Sequence, residues 1–308
     1  MRARRPAGLL VGTVALCVLA ASCSDPTAEP GADALDDGAV TVGSFDFPEN
    51  ELLAEIYGQA LAGSGYDVEY RLAAGPRELV QPALARGLVE FVPEYAGTML
   101  EFFGAGGDLP PTDPDATHAA LERRLAGTPL VPLAPAPAQD ANSVVVTPEV
   151  AERYDLATIS DLRDVAGDLT FGGPPGCDRR PFCLAGLESV YGLRFGAFMP
   201  LDVGGPLTHQ ALAGGHVDAA LLFTTDPRVA RDGLVVLTDD KALQPAENVT
   251  PIVRAEVIDR EGAAFVDAVD AVSARLTTET LQALNDEVAT GEPARAVAER
   301  WLAAEGLA

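Results

Sequence analysis

The sequence predicts an α/β protein built as two similar lobes that face each other across a cleft, and three observations carry that expectation. Strand-like and helix-like segments alternate from residue 40 onward, extended passages at 130–139 and 248–254 interrupt the alternation, and one helix–glycine–strand unit occurs twice. The 308 residues suffice for two domains, and 48% hydrophobic against 22% charged residues excludes wholesale disorder.

Residues 40–43 are a short β-branched run and read as a strand. In Phe45-Asp46-Phe47-Pro48-Glu49, the proline and the acidic residues mark a helix start, and Leu52, Leu53, Ile56, Tyr57, Ala60 and Leu61 follow at helical spacing. Residues 66–72 place Val68, Tyr70 and Leu72 on one face of a second strand. A helix over 78–86, closed by Gly87, and a strand over 88–92 complete a βαβαβ start, which implies a parallel sheet covered by helices. Asp113 caps a helix with Pro114 at its first position, running to about Leu125. Alternating Pro and Ala over 130–139 forbid a helix and suggest chain travelling between lobes. The second series has a strand over 143–146, a helix opened by Thr147-Pro148-Glu149, a strand over 169–172, a helix over 184–191, a strand over 197–201, a helix over 207–213, and strands over 217–223 and 234–237. Helices over 263–276, 278–289 and 294–304 end the chain. These readings put a first lobe at 39–139 plus 255–308 and a second at 140–254.

The repeated unit is Ala83-Leu84-Ala85-Arg86-Gly87-Leu88-Val89-Glu90 against Ala211-Leu212-Ala213-Gly214-Gly215-His216-Val217-Asp218. Continued in register, it sets Tyr95 opposite Phe223 and Gly97-Thr98 opposite Thr225-Asp226. Each lobe then ends the equivalent strand with a ring and small polar residues, at the position where open α/β sheets bind ligands.

The N-terminus reads as an export signal, 1–22: Arg2, Arg4 and Arg5 precede an apolar run over 7–21 that is too short for a comfortable membrane span. It ends Leu19-Ala20-Ala21-Ser22-Cys23, which resembles a bacterial lipobox, so Cys23 is the expected lipidation site; an ordinary signal peptide with a chance cysteine is the alternative. Arg4-Arg5 is a weak twin-arginine signal, and general secretion is favoured. Residues 23–38, poor in large apolar side chains, read as a flexible tether. Losing the signal leaves 46 acidic against 18 basic residues, a charge of −28, so the attachment to the membrane is expected through lipid and not through anionic headgroups. The same charge argues against a nucleic-acid partner, whose phosphates it would repel. Cys177 and Cys183 are the cysteines left in the exported body and are expected to form a disulfide.

No Walker lysine, dinucleotide fingerprint, Gly-x-Ser-x-Gly elbow or His-Glu-x-x-His is present, and no catalytic residue, metal site or cofactor is expected. Gly205-Pro206-Leu207-Thr208 is a candidate for backbone N–H groups presented at a helix start.

Residues 43–50 (Gly-Ser-Phe-Asp-Phe-Pro-Glu-Asn), 53–61 and 92–98 (Val-Pro-Glu-Tyr-Ala-Gly-Thr), with Arg180-Pro181, Gly186-Leu187, Tyr191-Gly192-Leu193 and Phe223-Thr224-Thr225-Asp226, resemble the substrate-binding proteins of glycine betaine/choline/proline-betaine ABC importers. The resemblance implies a periplasmic-binding-protein type II-like fold, two lobes joined by two crossover segments, closing on a compatible solute in an aromatic cage. It implies a permease and its ATPase as partner chains. Ring faces suit a quaternary ammonium, whose diffuse charge donates no hydrogen bond. By resemblance Tyr95 and Phe223 are cage walls, Asn50 stands where the family often has Gln, and Arg180 pairs with a ligand carboxylate. Phe45, Asp46, Arg77, Thr98, Thr224, Thr225 and Asp226 complete the expected ligand-binding set. Val92 and Phe223 stand where the family often has Tyr, and the cysteines around Arg180 mark a sub-branch. Core packing for the two rings, and a surface charge for Arg180, remain the alternatives. A receptor for a non-betaine solute and a secreted hydrolase are the rival readings of function.

Overall fold

The computed structural model describes residues 38–104 and 110–308; the signal, Cys23 and the tether up to residue 37 lie outside the described residues. The strands are β1 (Val40–Gly43), β2 (Val68–Arg71), β3 (Phe91–Tyr95), β4 (Leu130–Pro132), β5 (Asn142–Val146), β6 (Thr170–Gly173), β7 (Ala197–Pro200), β8 (Ala219–Phe223), β9 (Val235–Leu237) and β10 (Val249–Arg254). They form two sheets, ordered β2-β1-β3-β10-β4 and β7-β6-β8-β5-β9. The repeat seen in the sequence extends to topology. β3 and β8 are the middle strands, each with a parallel neighbour, β1 or β6, and an antiparallel one, β10 or β5.

The antiparallel neighbours are the chain's two passages between the sheets. β10 pairs Val249 with Tyr95, and β5 pairs Asn142 with Phe223. Just beyond those pairs the two passages meet, through a bridge between Gln139 and Asn248 and an Asp140 N–H bond of 3.0 Å to the Glu247 carbonyl. Each passage therefore leaves its sheet beside the ring that ends the middle strand. The expected lobe boundary at 254 falls at the end of β10, all of whose pairing is with β3 and β4 of the first sheet.

The strand expected at 88–92 begins instead at Phe91. The Gly87 and Leu88 N–H groups turn back onto the Leu84 and Ala83 carbonyls, so this stretch closes the preceding helix before pairing can start. A helix at Ala96–Phe103 was not foreseen, because Gly97 and Thr98 are poor helix formers in its first turn. Helix Pro48–Gly63 buries Leu52, Leu53, Ile56 and Tyr57 in a core shared with β1, β3, β10 and the C-terminal helices. In the second sheet Val144 and Val146 face one core and Val145 the other, the alternation of a strand covered on both faces.

Candidate functional site

A cavity of about 860 Å³ opens between the lobes, lined from the first by Phe45, Phe47, Arg77, Tyr95 and Thr98, from the second by Arg179, Arg180, Phe182 and Phe223, and from the two passages by Asp140, Asn142 and Glu247. A smaller cavity of about 230 Å³ shares Phe47, Asp140 and Phe223 and runs on to Glu49, Thr225, Asp226 and Asn285.

The rings come from the loop after β1 and from the ends of β3 and β8. Phe47 stacks on Tyr95 and on Phe223, with centroids 6.0 Å apart in each case, and on Phe45 at 6.1 Å. Tyr95 and Phe223 are thus linked through Phe47, to which the motif around it assigns no role. Gly204, at φ +61°, brings its backbone against Phe223; a Cβ there would lie 2.7 Å from the ring. Asn50, expected to meet ligand, is fully buried and does not line either cavity. Its Oδ1 accepts from the Phe45 N–H at 2.7 Å and its Nδ2 donates to the Pro93 carbonyl at 2.9 Å, which ties the aromatic loop to β3.

The arginines are engaged. Arg77 lies 4.9 Å from the Phe45 ring centroid and donates two bonds, 2.9 and 2.8 Å, to the buried Glu94. Arg180 donates at 3.0 Å to Glu78 across the cleft, an ion pair about half exposed on both sides. Arg179 lines the cavity and forms no ion pair among the described residues. The loop that carries both arginines is closed by the Cys177–Cys183 disulfide, with Cα atoms 5.2 Å apart.

The acids are the unforeseen part of the site. Glu49, in the first turn of its helix, accepts from the Tyr95 hydroxyl at 2.7 Å and from Thr225 and Asn285. Asp140 accepts from the Thr225 N–H at 3.2 Å. Burial, and then the neighbouring Glu49 charge, push the Asp140 carboxyl well above its usual range, and the same two causes raise the Tyr95 phenol. Glu247 accepts from the N–H and hydroxyl of Thr98. Burial pushes its carboxyl up to about 7 against the lowering effect of those bonds. Gly97 permits this contact, since a Cβ there would meet Pro245 at 2.4 Å.

The remaining expectations divide. Asp46 and Thr98 line the main cavity and Thr225 the smaller one. Thr224 instead secures the first passage, with its hydroxyl accepting from the Ala141 N–H at 2.9 Å. Asp226 caps helix Pro227–Arg231 and binds Arg228 and His209, the latter at 2.7 Å. Burial opposes its ionisation, and the bonds from His209 and Arg228 outweigh burial and hold its carboxyl low. The helix start at 205–208 is already filled, because the Asp202 carboxylate accepts from the Gly205, Leu207 and Thr208 N–H groups.

Residues 38–304 match the family model described as the substrate-binding domain of ABC-type glycine betaine transport systems. The chain belongs to this family. Among family relatives, it is 29% identical over 277 residues to the glycine betaine-binding protein YehZ of Escherichia coli K12, covering 87% of this chain and 90% of that protein. It is 30% identical over 258 residues to a glycine-betaine-binding protein of Pseudomonas aeruginosa, covering 80% and 81%. The crystal structure of a glycine betaine/carnitine/choline ABC transporter protein shares the fold with a TM-score of 0.70 at 24% identity, over 87% of this chain and 99% of that one. The family's periplasmic-binding-protein type II-like architecture is the one described above.

Proposed function

We propose that this chain is an extracytoplasmic receptor that captures a small quaternary amine and delivers it to an ABC importer whose permease and ATPase are separate chains. The observation that carries this reading is the stack of Phe47 on both Tyr95 and Phe223 in a cavity of about 860 Å³ whose lining includes Asp140 and Glu247. Ring faces attract a diffuse cation by their quadrupole, and a quaternary head leaves no donor unsatisfied there. The related binding proteins named for glycine betaine support the same ligand class. Arg180, held by Glu78, acts as a tie between closed lobes. The lobes divide at the Gln139–Asn248 bridge, so that 39–139 with 249–308 moves against 140–247.

The receptor binds without chemical turnover. Thermal stabilisation by choline, glycine betaine or carnitine, with the solute recovered unmodified, is the expected result; conversion of the solute would make the protein an enzyme and refute this reading. We also assign the membrane attachment to a lipid on Cys23. Cys23→Ser should release the protein from the membrane fraction or leave it unprocessed, and unchanged retention would defeat the assignment.

A further inference from the structure

We infer that Asp140 and Glu247 are the specificity-determining residues of the cleft, and that they select a quaternary ammonium with net positive charge, a choline-type cation, over a zwitterion with the same head. The inference rests on the quaternary-amine reading above and adds the charge of the ligand to it.

Topology makes these two acids equivalents. Asp140 stands two residues before Asn142, the partner of Phe223, and Glu247 stands two residues before Val249, the partner of Tyr95. Each middle strand thus ends in a ring with a carboxyl from the adjoining passage beside it. Each carboxyl is held from the residues that follow its ring, Glu247 by Thr98 and Asp140 by Thr225. Asp140 is 6% exposed and Glu247 2% exposed, and both line the main cavity.

Neither acid has a cationic partner: among the described residues no ion pair includes Asp140, Glu247 or the adjacent Glu49. Buried carboxylates without a direct ion pair are unfavourable, Glu247 having only the field of an Arg77 that Glu94 already holds, and a cation entering the cavity supplies what is missing. The arginines near the cleft argue the same way from the other side. Arg77 is held bidentately by Glu94, and Arg180 is held by Glu78. A ligand carboxylate would have to rely on Arg179 or displace Glu78, while adding a negative charge near two buried acids.

The groups acting on the pair are Arg77, Glu94 and Thr98 around Glu247, and Glu49, Thr224, Thr225 and Tyr95 around Asp140. A cation favours the ionised form of both; Glu247, its carboxyl at about 7, therefore gives up protons on binding near neutral pH, and affinity rises as pH goes from about 6 to about 8. A cation that lowers a carboxyl pKa by one unit binds its ionised form about tenfold more tightly than its neutral form.

The test uses calorimetry on the full chain with choline and glycine betaine. Choline should bind tighter, with proton release measurable as a dependence of the binding heat on the buffer's ionisation enthalpy. Glu247→Gln and Asp140→Asn, each verified as folded by its melting curve, should weaken choline about tenfold and reduce the proton release, while weakening betaine by a smaller factor, so that the preference for choline narrows. Should either variant fail to fold, the ligand comparison and proton release of the wild type still decide. Tighter binding of betaine, or binding of choline without proton release, overturns the inference alone. If neither solute binds, the quaternary-amine reading falls and the inference with it.

Discussion

Replacing Asn50 with Ala should loosen the aromatic loop and destabilise the protein together. Asn50 is fully buried, and its amide is the partner of the Phe45 N–H and of the Pro93 carbonyl, which belong to the ring-bearing loop and to β3. Truncation removes both bonds and leaves both backbone groups buried, Phe45 itself being 3% exposed. A buried group left unpaired costs about 1–3 kcal/mol, so Asn50→Ala should destabilise by roughly 2–5 kcal/mol, the carbonyl being the better tolerated of the two. Denaturant unfolding at constant m-value measures the loss. Because Phe45 stacks on Phe47 and Phe47 on Tyr95 and Phe223, ligand affinity should fall as well, although Asn50 lines neither cavity. A variant within about 0.5 kcal/mol of wild type with unaltered affinity would refute the claim that this amide positions the loop.

The two strand-end rings should respond differently. Phe223→Ala should weaken a quaternary ammonium by about tenfold with little change in the melting temperature of the empty protein; Tyr95→Ala should lower that temperature too, because Tyr95 is 5% exposed, packs in the first-lobe core and donates to Glu49, and equal stability of the two variants would count against this. Arg180→Ala and Glu78→Ala should each weaken choline by the same small factor, at most about fivefold for a half-exposed pair, with the double variant no worse than either single; a selective loss of betaine on Arg180→Ala would instead place a ligand carboxylate on Arg180. Glu247, at about 7 in the folded protein against 4.5 for an ordinary Glu, binds its proton more tightly folded than unfolded. Its contribution to stability is present below about pH 4.5 and lost as pH rises to about 7, on the order of 3 kcal/mol. The empty wild type should therefore lose stability over that interval relative to Glu247→Gln, and parallel pH profiles from thermal unfolding would contradict it.

The alternation of strand-like and helix-like segments made the parallel start of the first sheet readable in the sequence, and the repeated helix–glycine–strand unit did the same for the two strand-end rings, whereas the antiparallel pairing of β10 and β5 beside those rings was not readable. The placement of Asp140 and Glu247 beside the rings was not readable there. It arises when two segments distant in sequence pair antiparallel at the Gln139–Asn248 bridge, although both acids flank the extended passages that composition had marked. Arg180 shows the same limit. Its type and position suit a carboxylate, but the carboxylate it meets is Glu78 of the opposite lobe. Asn50 looked like a ligand contact from the motif around it. Its complete burial and two main-chain partners make it the anchor of the loop that carries the rings.

Isothermal titration of the full chain with choline, glycine betaine and carnitine tests the central claim most directly. Saturable one-to-one binding tighter than about 1 mM, or about −4 kcal/mol, is expected for at least one of the three. If all three bind more weakly than that, the cleft built around Phe47, Tyr95 and Phe223 is not a quaternary-amine site.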